Sequence, residues 1–495
     1  CNNNPWGSFP DRDVFYSAIS DDPRTLDPAR VSDTSSNLIA SNLHDTPYEY
    51  HYLKRPLELV PAMATGMPQI GKRTINGQLL TSFRFSIKKG LFFQDDVCFA
   101  NGRGREIKIH DIIYNILRAA DPSLDPFGLP LLMGKVLGFD EFMQKLEKAT
   151  AAEKIALYRE GMPGVRALDD YTLELLLTQD FPQIRFFFAA TMGAPVPPEC
   201  LAYYDGSSPD RPTFDRHPVA SGPFFLKEWK ANYRIVLEKN PNYRTDDLYP
   251  EEGNAGDEEA GFLTLAGRKL PLVESFHFQI IKAGSPIWRL FEQGYLDRAG
   301  IPVEVFNQVI YDQDLAGIYK ERGIRLDREV GTATYWWYYN MEDPLFKNNP
   351  ELRRALSLAI DRKEMIERFH NGRGLIAHSL LPPGLEGYEE DFKNPYSEFD
   401  LDRARELMAL AGYKDGIDPK TNQPLKVTMT LVASAQGSSR YRFFIEQFRN
   451  AGVDLKIETL DWPTVLERKN KKTFQMIHGG WHADYPAPQN FFQLF

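Results

Sequence analysis

The stretch from residue 425 to residue 461 constrains the possible folds of this chain more than any other segment. Apolar residues alternate from 427 to 431, as on a half-buried strand. A helical apolar run at 443–448 ends at Ala451-Gly452, and a second alternating run begins at Val453. A strand, a helix and a strand within so short a length form a right-handed crossover between parallel strands. The sequence therefore predicts a parallel sheet covered by helices.

Strand and helix patterns also alternate elsewhere in the chain. Residues 80–87 alternate as a strand, and apolar residues between 112 and 117 fall on one face of a helix. Proline is favoured at the first position of a helix, so Pro350 predicts a helix start, and we expect this helix to end at Gly372. A further helix is expected to end at Gly412. These patterns predict an α/β fold in more than one lobe.

Composition excludes several classes of protein. The net charge is −10 and no basic stripe is present, which argues against a nucleic-acid partner. No apolar run reaches the roughly 18 residues that a membrane-spanning helix needs. Aromatic residues make up 13% of the chain, a content that suits a protein burying ligands against rings.

The three cysteines bear on the compartment. Residue 1 is Cys1, and a hydrophilic run, Asn2-Asn3-Asn4-Pro5, follows it, as is typical of a bacterial lipoprotein whose signal peptide has been removed. A lipid on the Cys1 thiol would attach the protein to a bacterial membrane, in the periplasm or at the cell envelope. Cys98 and Cys200 either pair in an oxidising compartment or remain two buried thiols.

No pattern of catalysis or metal binding stands out. The sequence has no nucleophile elbow, no H-E-x-x-H helix and no phosphate-binding loop. His478 and His482 flank two glycines in an extended segment, so they are not expected to converge on one metal ion. The acidic stretch 246–259 lacks the spacing of an EF-hand loop and predicts a solvated surface loop. We expect no enzyme activity, no metal and no cofactor.

Residues 478–486 read His-Gly-Gly-Trp-His-Ala-Asp-Tyr-Pro. A β-leaning run leads into two glycines, which allow another backbone to come close. Asp484 follows between a tryptophan and a tyrosine, where burying a carboxylate is costly unless a cation or several donors meet it. The ammonium group of a ligand would meet that need. The plainer alternative is a strand end followed by a proline-rich turn.

Seven segments, spread in order over nearly the whole chain, resemble the peptide- and nickel-type substrate-binding lipoproteins of ABC importers, called extracellular solute-binding protein family 5. The segments are residues 24–28; 88–90 with Phe93 and the helix 112–118; 169–174; 217–229 with 237–243; 352–361; 381–384; and 481–486.

The resemblance implies a two-lobed α/β clamp of the periplasmic-binding-protein kind (type II, large peptide-binding subclass), with an extra domain inserted in the first lobe. Lobe I would comprise residues 1–42 and 169–332, the inserted domain II residues 43–168, and lobe III residues 333–495. The family also implies that the chain continues for some tens of residues beyond the Trp-Asp motif and returns to lobe I. This sequence stops at Phe495, so either it is truncated or that return is missing. The aromatic strand 335–339 is either a buried central strand or a lobe edge that lines the ligand cavity.

The resemblance also implies ligand-binding residues. In peptide-binding members the aspartate of the W-x-x-D pattern pairs with the N-terminal ammonium of the peptide, and Asp484 matches it. Gly480, Trp481 and His482 would then bind the main chain of the peptide, which adds like a β-strand. The other implied contacts are Ser32, Asp33 and Thr34 on a contact strand of lobe I, Trp462 as a pocket tryptophan, and Trp336 and Tyr338 on the aromatic strand.

Two departures from the family keep alternatives open. Tyr338 stands where oligopeptide binders can carry an acid, and position 482 is histidine, so a different peptide length or polarity, or a non-peptide ligand, is possible. The leading interpretation is a lipid-anchored, monomeric peptide-binding subunit that delivers peptides to ABC permease and ATPase subunits. The second is the same fold holding a nickel chelate, haem or an oligosaccharide. The third is an extracytoplasmic enzyme, for which the sequence supplies no nucleophile–base pair.

Overall fold

The computed structural model describes residues 4–7, 13–126, 128–432 and 437–495, without the side chains at positions 437, 438, 462, 463 and 466. The chain divides into two compact units, Cys1–Pro302 and Val303–Phe495. Within the described residues, no helix is long and apolar enough to cross a membrane.

The strands of the first unit are β1 (Val14–Ile19), β2 (Tyr48–Tyr50), β3 (Leu59–Pro61), β4 (Gln69–Ile75), β5 (Gln78–Ser86), β6 (Val165–Ala167), β7 (Thr172–Leu177), β8 (Phe224–Lys230), β9 (Arg234–Lys239) and β10 (Ser275–Ile280). Its α-helices are α1 (Thr34–Leu43), α2 (Ile109–Arg118), α3 (Leu129–Leu132), α4 (Phe139–Lys148), α5 (Ala151–Glu160), α6 (Ile184–Phe187), α7 (Pro198–Tyr203) and α8 (Gly284–Glu292).

Two four-stranded sheets organise the first unit. One has the order β1-β10-β9-β8, with β1 and β10 parallel and the other neighbours antiparallel. Ile39 and Leu43 of α1 are buried against its apolar face. The second sheet is antiparallel, in the order β4-β5-β7-β6. Because β7 follows residue 168 and pairs with β5, this sheet takes in a strand from beyond the predicted end of the inserted domain. The domain boundaries themselves stay predictions.

A disulfide joins distant parts of the first unit. Cys98 bonds to Cys200 of α7, with 5.0 Å between their Cα atoms. Cys200 is fully buried. The structure thus selects the paired form from the two alternatives that the sequence left open.

The strands of the second unit are β11 (Ile310–Tyr311), β12 (Asp314–Leu315), β13 (Ala333–Tyr339), β14 (Ile417–Asp418), β15 (Gln423–Val432), β16 (Val453–Leu460) and β17 (Met476–His482). Its α-helices are α9 (Phe306–Val309), α10 (Gly317–Glu321), α11 (Pro350–Leu358), α12 (Arg362–His370), α13 (Leu401–Leu410), α14 (Gly437–Asn450), α15 (Trp462–Asn470) and α16 (Gln489–Phe492).

The central sheet of the second unit has the order β13-β17-β15-β14, and β16 also pairs with β15. β15 and β16 are parallel neighbours in the sheet, and α14 connects them along the chain, as the alternating pattern predicts. The core on one face of the sheet contains Val427 and Met429 of β15, Phe444 and Phe448 of α14, and Leu356 of α11. Alternating strands and apolar helix faces thus form one packed α/β layer around this core.

One expectation for the second unit is wrong, and one alternative that the sequence left open is decided. The helix predicted from Pro350 to Gly372 is two helices, because the carboxylate of Asp361 accepts a hydrogen bond from Glu364 N–H and caps a new helix, α12. The aromatic strand β13 is not a central strand, since it lies at the edge of the described sheet.

Candidate functional site

β17 carries the glycines of the motif and is paired unequally on its two sides. It is antiparallel to β13 along its whole length, from Met476 to His482. It is parallel to β15 at Met476 and Ile477 alone. From His478 onward, no strand among the described residues pairs with the side of β17 that faces away from β13. This edge has the form that an extended ligand needs to add as a further strand.

The hydrogen bonding of the β13–β17 pair decides which main-chain groups face that edge. Ala483 N–H, just beyond β17, donates to Thr332 O at 2.8 Å. Antiparallel strands exchange such bonds at every second residue pair, so Trp481 also bonds to β13. The N–H and C=O groups of Gly480 and His482 therefore point away from β13. The main-chain groups of Gly480 and His482 are thus available for a ligand, those of Trp481 are used by β13, and a ligand contact by any of the three stays a prediction.

Position 480 requires glycine because of its neighbour across the strand pair. A Cβ atom there would lie 2.4 Å from Cδ1 of Tyr335. The hydroxyl of Tyr335 also lies 2.8 Å from Nε2 of His482, in a hydrogen bond that bridges the two strands. The ring of Tyr335 thus covers one face of β17 and leaves the strand edge uncovered.

Asp484 lies two residues past β17 and is held by Asn490 of α16. Asn490 Nδ2 donates to Asp484 Oδ2 at 2.9 Å, and Asp484 N–H donates to Asn490 Oδ1 at 3.0 Å. The indole Nε1–H of Trp481 donates to the same Asn490 Oδ1 at 2.9 Å. Asn490 is completely buried. It is a residue that the sequence patterns did not single out.

The carboxylate of Asp484 is partly desolvated. Burial raises the pKa of Asp484, while the hydrogen bond from Asn490 and the nearby indole N–H of Trp481 oppose that rise. No basic side chain among the described residues forms an ion pair with it. The residue as a whole is exposed, so a ligand can reach it. A partly desolvated, accessible carboxylate without a cation is a favourable partner for an ammonium group.

Trp336 and Tyr338 lie together on one face of β13, with ring centroids 5.3 Å apart. Phe495 stacks on Tyr338 at 5.8 Å, and Lys469 Nζ lies 4.3 Å from the centroid of the Tyr338 ring. Trp336 also packs against the buried Phe491. The structure therefore brings both predicted residues into one aromatic cluster, and their role in ligand binding stays a prediction.

The predicted contact strand at Ser32, Asp33 and Thr34 is not a strand. Thr34 is the first residue of α1, and Asp33 is its N-cap, with Oδ1 accepting from Ser36 N–H at 2.8 Å. Side-chain capping of this kind competes with extended structure. A ligand contact by these residues stays a prediction.

The structure describes only the main chain of one further predicted residue, Trp462, and does not describe another, Cys1. Trp462 is the first residue of α15, and its side chain lies outside the described part. Cys1, the predicted site of lipid attachment, also lies outside the described residues.

The two histidines of the motif do not form a metal site. His478 and His482 lie on one face of β17, four residues and therefore roughly 13 Å apart along the strand. Burial lowers the pKa of His478 to about 3, so its imidazole is neutral. Among the described residues, no group of three or more His, Cys, Asp or Glu side chains is arranged to hold a metal ion.

Comparison with known proteins identifies relatives in sequence and in structure. The periplasmic oligopeptide-binding protein OppA of Salmonella typhimurium is 25% identical over 396 residues, a match that covers 78% of this chain and 63% of that protein. The chain thus spans less than two thirds of the length of this relative. Among solved structures, a periplasmic binding protein DppA from Helicobacter pylori in complex with the peptide STSA has a TM-score of 0.66 at 22% identity, covering 97% of this chain and 80% of that one. OppA of Burkholderia pseudomallei has a TM-score of 0.67 at 21% identity, covering 98% of this chain and 83% of that one.

These structural matches confirm the predicted α/β fold class. The sequence profile of the bacterial extracellular solute-binding proteins, family 5 Middle, matches residues 58–495. The chain therefore belongs to the bacterial extracellular solute-binding proteins of family 5.

Proposed function

We propose that the protein captures peptides with a free N-terminus and delivers them to an ABC importer. The observation that carries this proposal is the position of Asp484. Its carboxylate forms no ion pair among the described residues, and it lies directly after the edge of β17 that no described strand pairs with. The main chain of a peptide would bind along the edge, and its ammonium group would bind to Asp484. Both contacts are independent of side-chain identity, so many sequences would be accepted.

The same geometry gives the ligand a direction. Asp484 lies beyond the C-terminal end of β17, so a peptide that starts there runs back along the strand in the antiparallel sense. Gly480 and His482 would then exchange main-chain hydrogen bonds with alternate residues of the peptide. Tyr335, which is 56% exposed, would lie beside the first of these residues.

The cellular setting is part of the proposal. Membership of the family supports a binding subunit that works with a permease and an ATPase at the cell envelope. A lipid on Cys1 would anchor the protein to the membrane, and the monomer would be the functional form. Selective loss of a radiolabelled acyl group in a Cys1→Ser variant, produced with its own signal peptide, would test the anchor.

The binding experiment compares two peptide libraries by native mass spectrometry. One library contains random tri- to pentapeptides with free N-termini, and the other contains the same peptides with acetylated N-termini. The wild-type protein should retain the free library in strong preference. Asp484→Asn should weaken binding of the free library by about 2 kcal/mol, or roughly 30-fold, and leave the acetylated library unchanged.

Asp454→Asn is the matched control, because Asp454 is an exposed carboxylate on β16 of the same unit. It removes the same charge and should preserve the preference. Equal loss of both libraries in Asp484→Asn would contradict the assigned role of the carboxylate. A single non-peptide mass retained from the cell would support instead the second interpretation, a dedicated carrier of another ligand.

A further inference from the structure

We infer that Asn490 is the positioning residue of this site, and that it fixes Asp484 with one carboxylate oxygen bound and the other turned to the ligand. The inference rests on the proposed function, because it concerns how Asp484 meets an ammonium group. It assigns a role to a buried side chain that does not itself contact the ligand.

The orientation of the Asn490 amide is decided by its partners. The indole nitrogen of Trp481 and the main-chain nitrogen of Asp484 can only donate, and they lie 2.9 Å and 3.0 Å from Asn490 Oδ1. That oxygen is therefore the acceptor of both bonds. The amide nitrogen Nδ2 must then point to Asp484 Oδ2, 2.9 Å away, where it donates. A reversed amide would place two donors against Nδ2 and an oxygen against the carboxylate.

This arrangement treats the two oxygens of Asp484 differently. Oδ2 is held by Asn490, while Oδ1 takes no part in these bonds. The main chain of Asp484 is held by the same amide, so the carboxylate is fixed at both its base and one of its oxygens. Because Asn490 is completely buried, water does not compete for its bonds. An ammonium group would find Oδ1 already oriented, which reduces the entropy lost on binding.

Trp481 acts through the same amide. Its indole N–H fixes the Asn490 orientation from one side, while its main chain belongs to the sheet. The structure thus assigns Trp481 a positioning role, in a series that runs from the β17 strand through Asn490 to Asp484.

The experiment measures the preference for the free library over the acetylated library between pH 5 and pH 8, by native mass spectrometry. Asn490→Leu has a similar size but neither donor nor acceptor, and it should reduce the preference by about tenfold or more. The substitution also removes a donor that favours the ionised form of Asp484, so it should raise the pKa of Asp484. As the pH is lowered, the remaining preference should therefore be lost at a higher pH than in the wild type. Trp481→Phe keeps a ring but loses the indole donor. It should also reduce the preference and raise the pH at which the preference is lost, but by less than Asn490→Leu.

Gln493→Leu is the control, since Gln493 lies one turn further on, is exposed, and makes no bond to the Asp484 carboxylate. A wild-type preference and pH profile in Asn490→Leu would overturn the positioning role. If Asn490→Leu does not fold, Trp481→Phe decides, and a wild-type pH profile in that variant overturns the inference. A wild-type protein without any preference for free N-termini would instead contradict the proposed function itself.

Discussion

Removing the charge of Asp27 should strongly destabilise the first unit. Arg118 of α2 forms a bidentate ion pair with Asp27, with Nη1–Oδ1 and Nη2–Oδ2 distances of 2.9 Å and 2.5 Å. Each side chain is 6% exposed, so solvent cannot take the place of a lost partner. Asp27→Asn would leave a buried guanidinium without its carboxylate, which costs about 3–5 kcal/mol.

The same pair sets a pH dependence. Burial raises the pKa of Asp27, but the attraction of Arg118 outweighs this effect and holds the pKa below its ordinary value. The stabilisation is therefore present above the pKa of the unfolded chain and is lost as the pH falls through the lower native pKa. Asp27→Asn should remove this part of the acid dependence.

Asp180→Asn provides a matched control in the same unit. Asp180 pairs with Lys72, but its side chain is 71% exposed, so losing this ion pair should leave the free energy of unfolding nearly unchanged. Urea unfolding followed by circular dichroism at pH 7 gives both free energies by linear extrapolation. Equal destabilisation by the two variants would refute the reasoning from burial.

Two further predictions concern the first unit. Reducing the Cys98–Cys200 disulfide, which links residues 102 apart in sequence, should lower the free energy of unfolding by up to about 4.7 kcal/mol. If the urea midpoint is unchanged after two thiols have become titratable, this prediction is contradicted. Burial raises the pKa of Asp45 to about 6 and outweighs the opposing effect of Arg244, whose Nε donates to the Asp45 carboxylate at 2.9 Å. Ionising Asp45 should therefore destabilise the folded protein as the pH rises from about 4 to 6, by at most about 3 kcal/mol. Asp45→Asn should reduce this dependence of the unfolding free energy on pH, measured by urea unfolding; the part that remains is expected from Glu49, whose pKa burial raises to about 7. An identical pH dependence in the variant would show that Asp45 does not contribute to it.

Local sequence patterns were sufficient to predict those strands and helices that bury a single face in a core. The alternation at 427–431 predicts β15 because each inward residue enters the same core. The aromatic run of β13 was ambiguous for a physical reason. Trp337 packs against Phe444 on one face, and Trp336 contacts Phe495 on the other, so an edge strand carries rings on both faces.

The missed features had weaker or competing signals. Asp361 and Glu364 have the spacing of a helix start, but the apolar pattern running past them favoured one long helix. Asp33 precedes a helix in the same way, and family resemblance suggested a strand there. Asn490 carries no periodic signal at all, because its role depends on tertiary contact with Asp484 and Trp481.

A crystal structure of the protein with a bound tripeptide tests the central claim most directly. The account predicts the peptide ammonium within hydrogen-bond distance of Asp484 Oδ1, and main-chain hydrogen bonds from the peptide to Gly480 and His482. The peptide should run antiparallel to β17. A peptide bound with Asp484 uncontacted, or with the β17 edge still unpaired, would contradict the account.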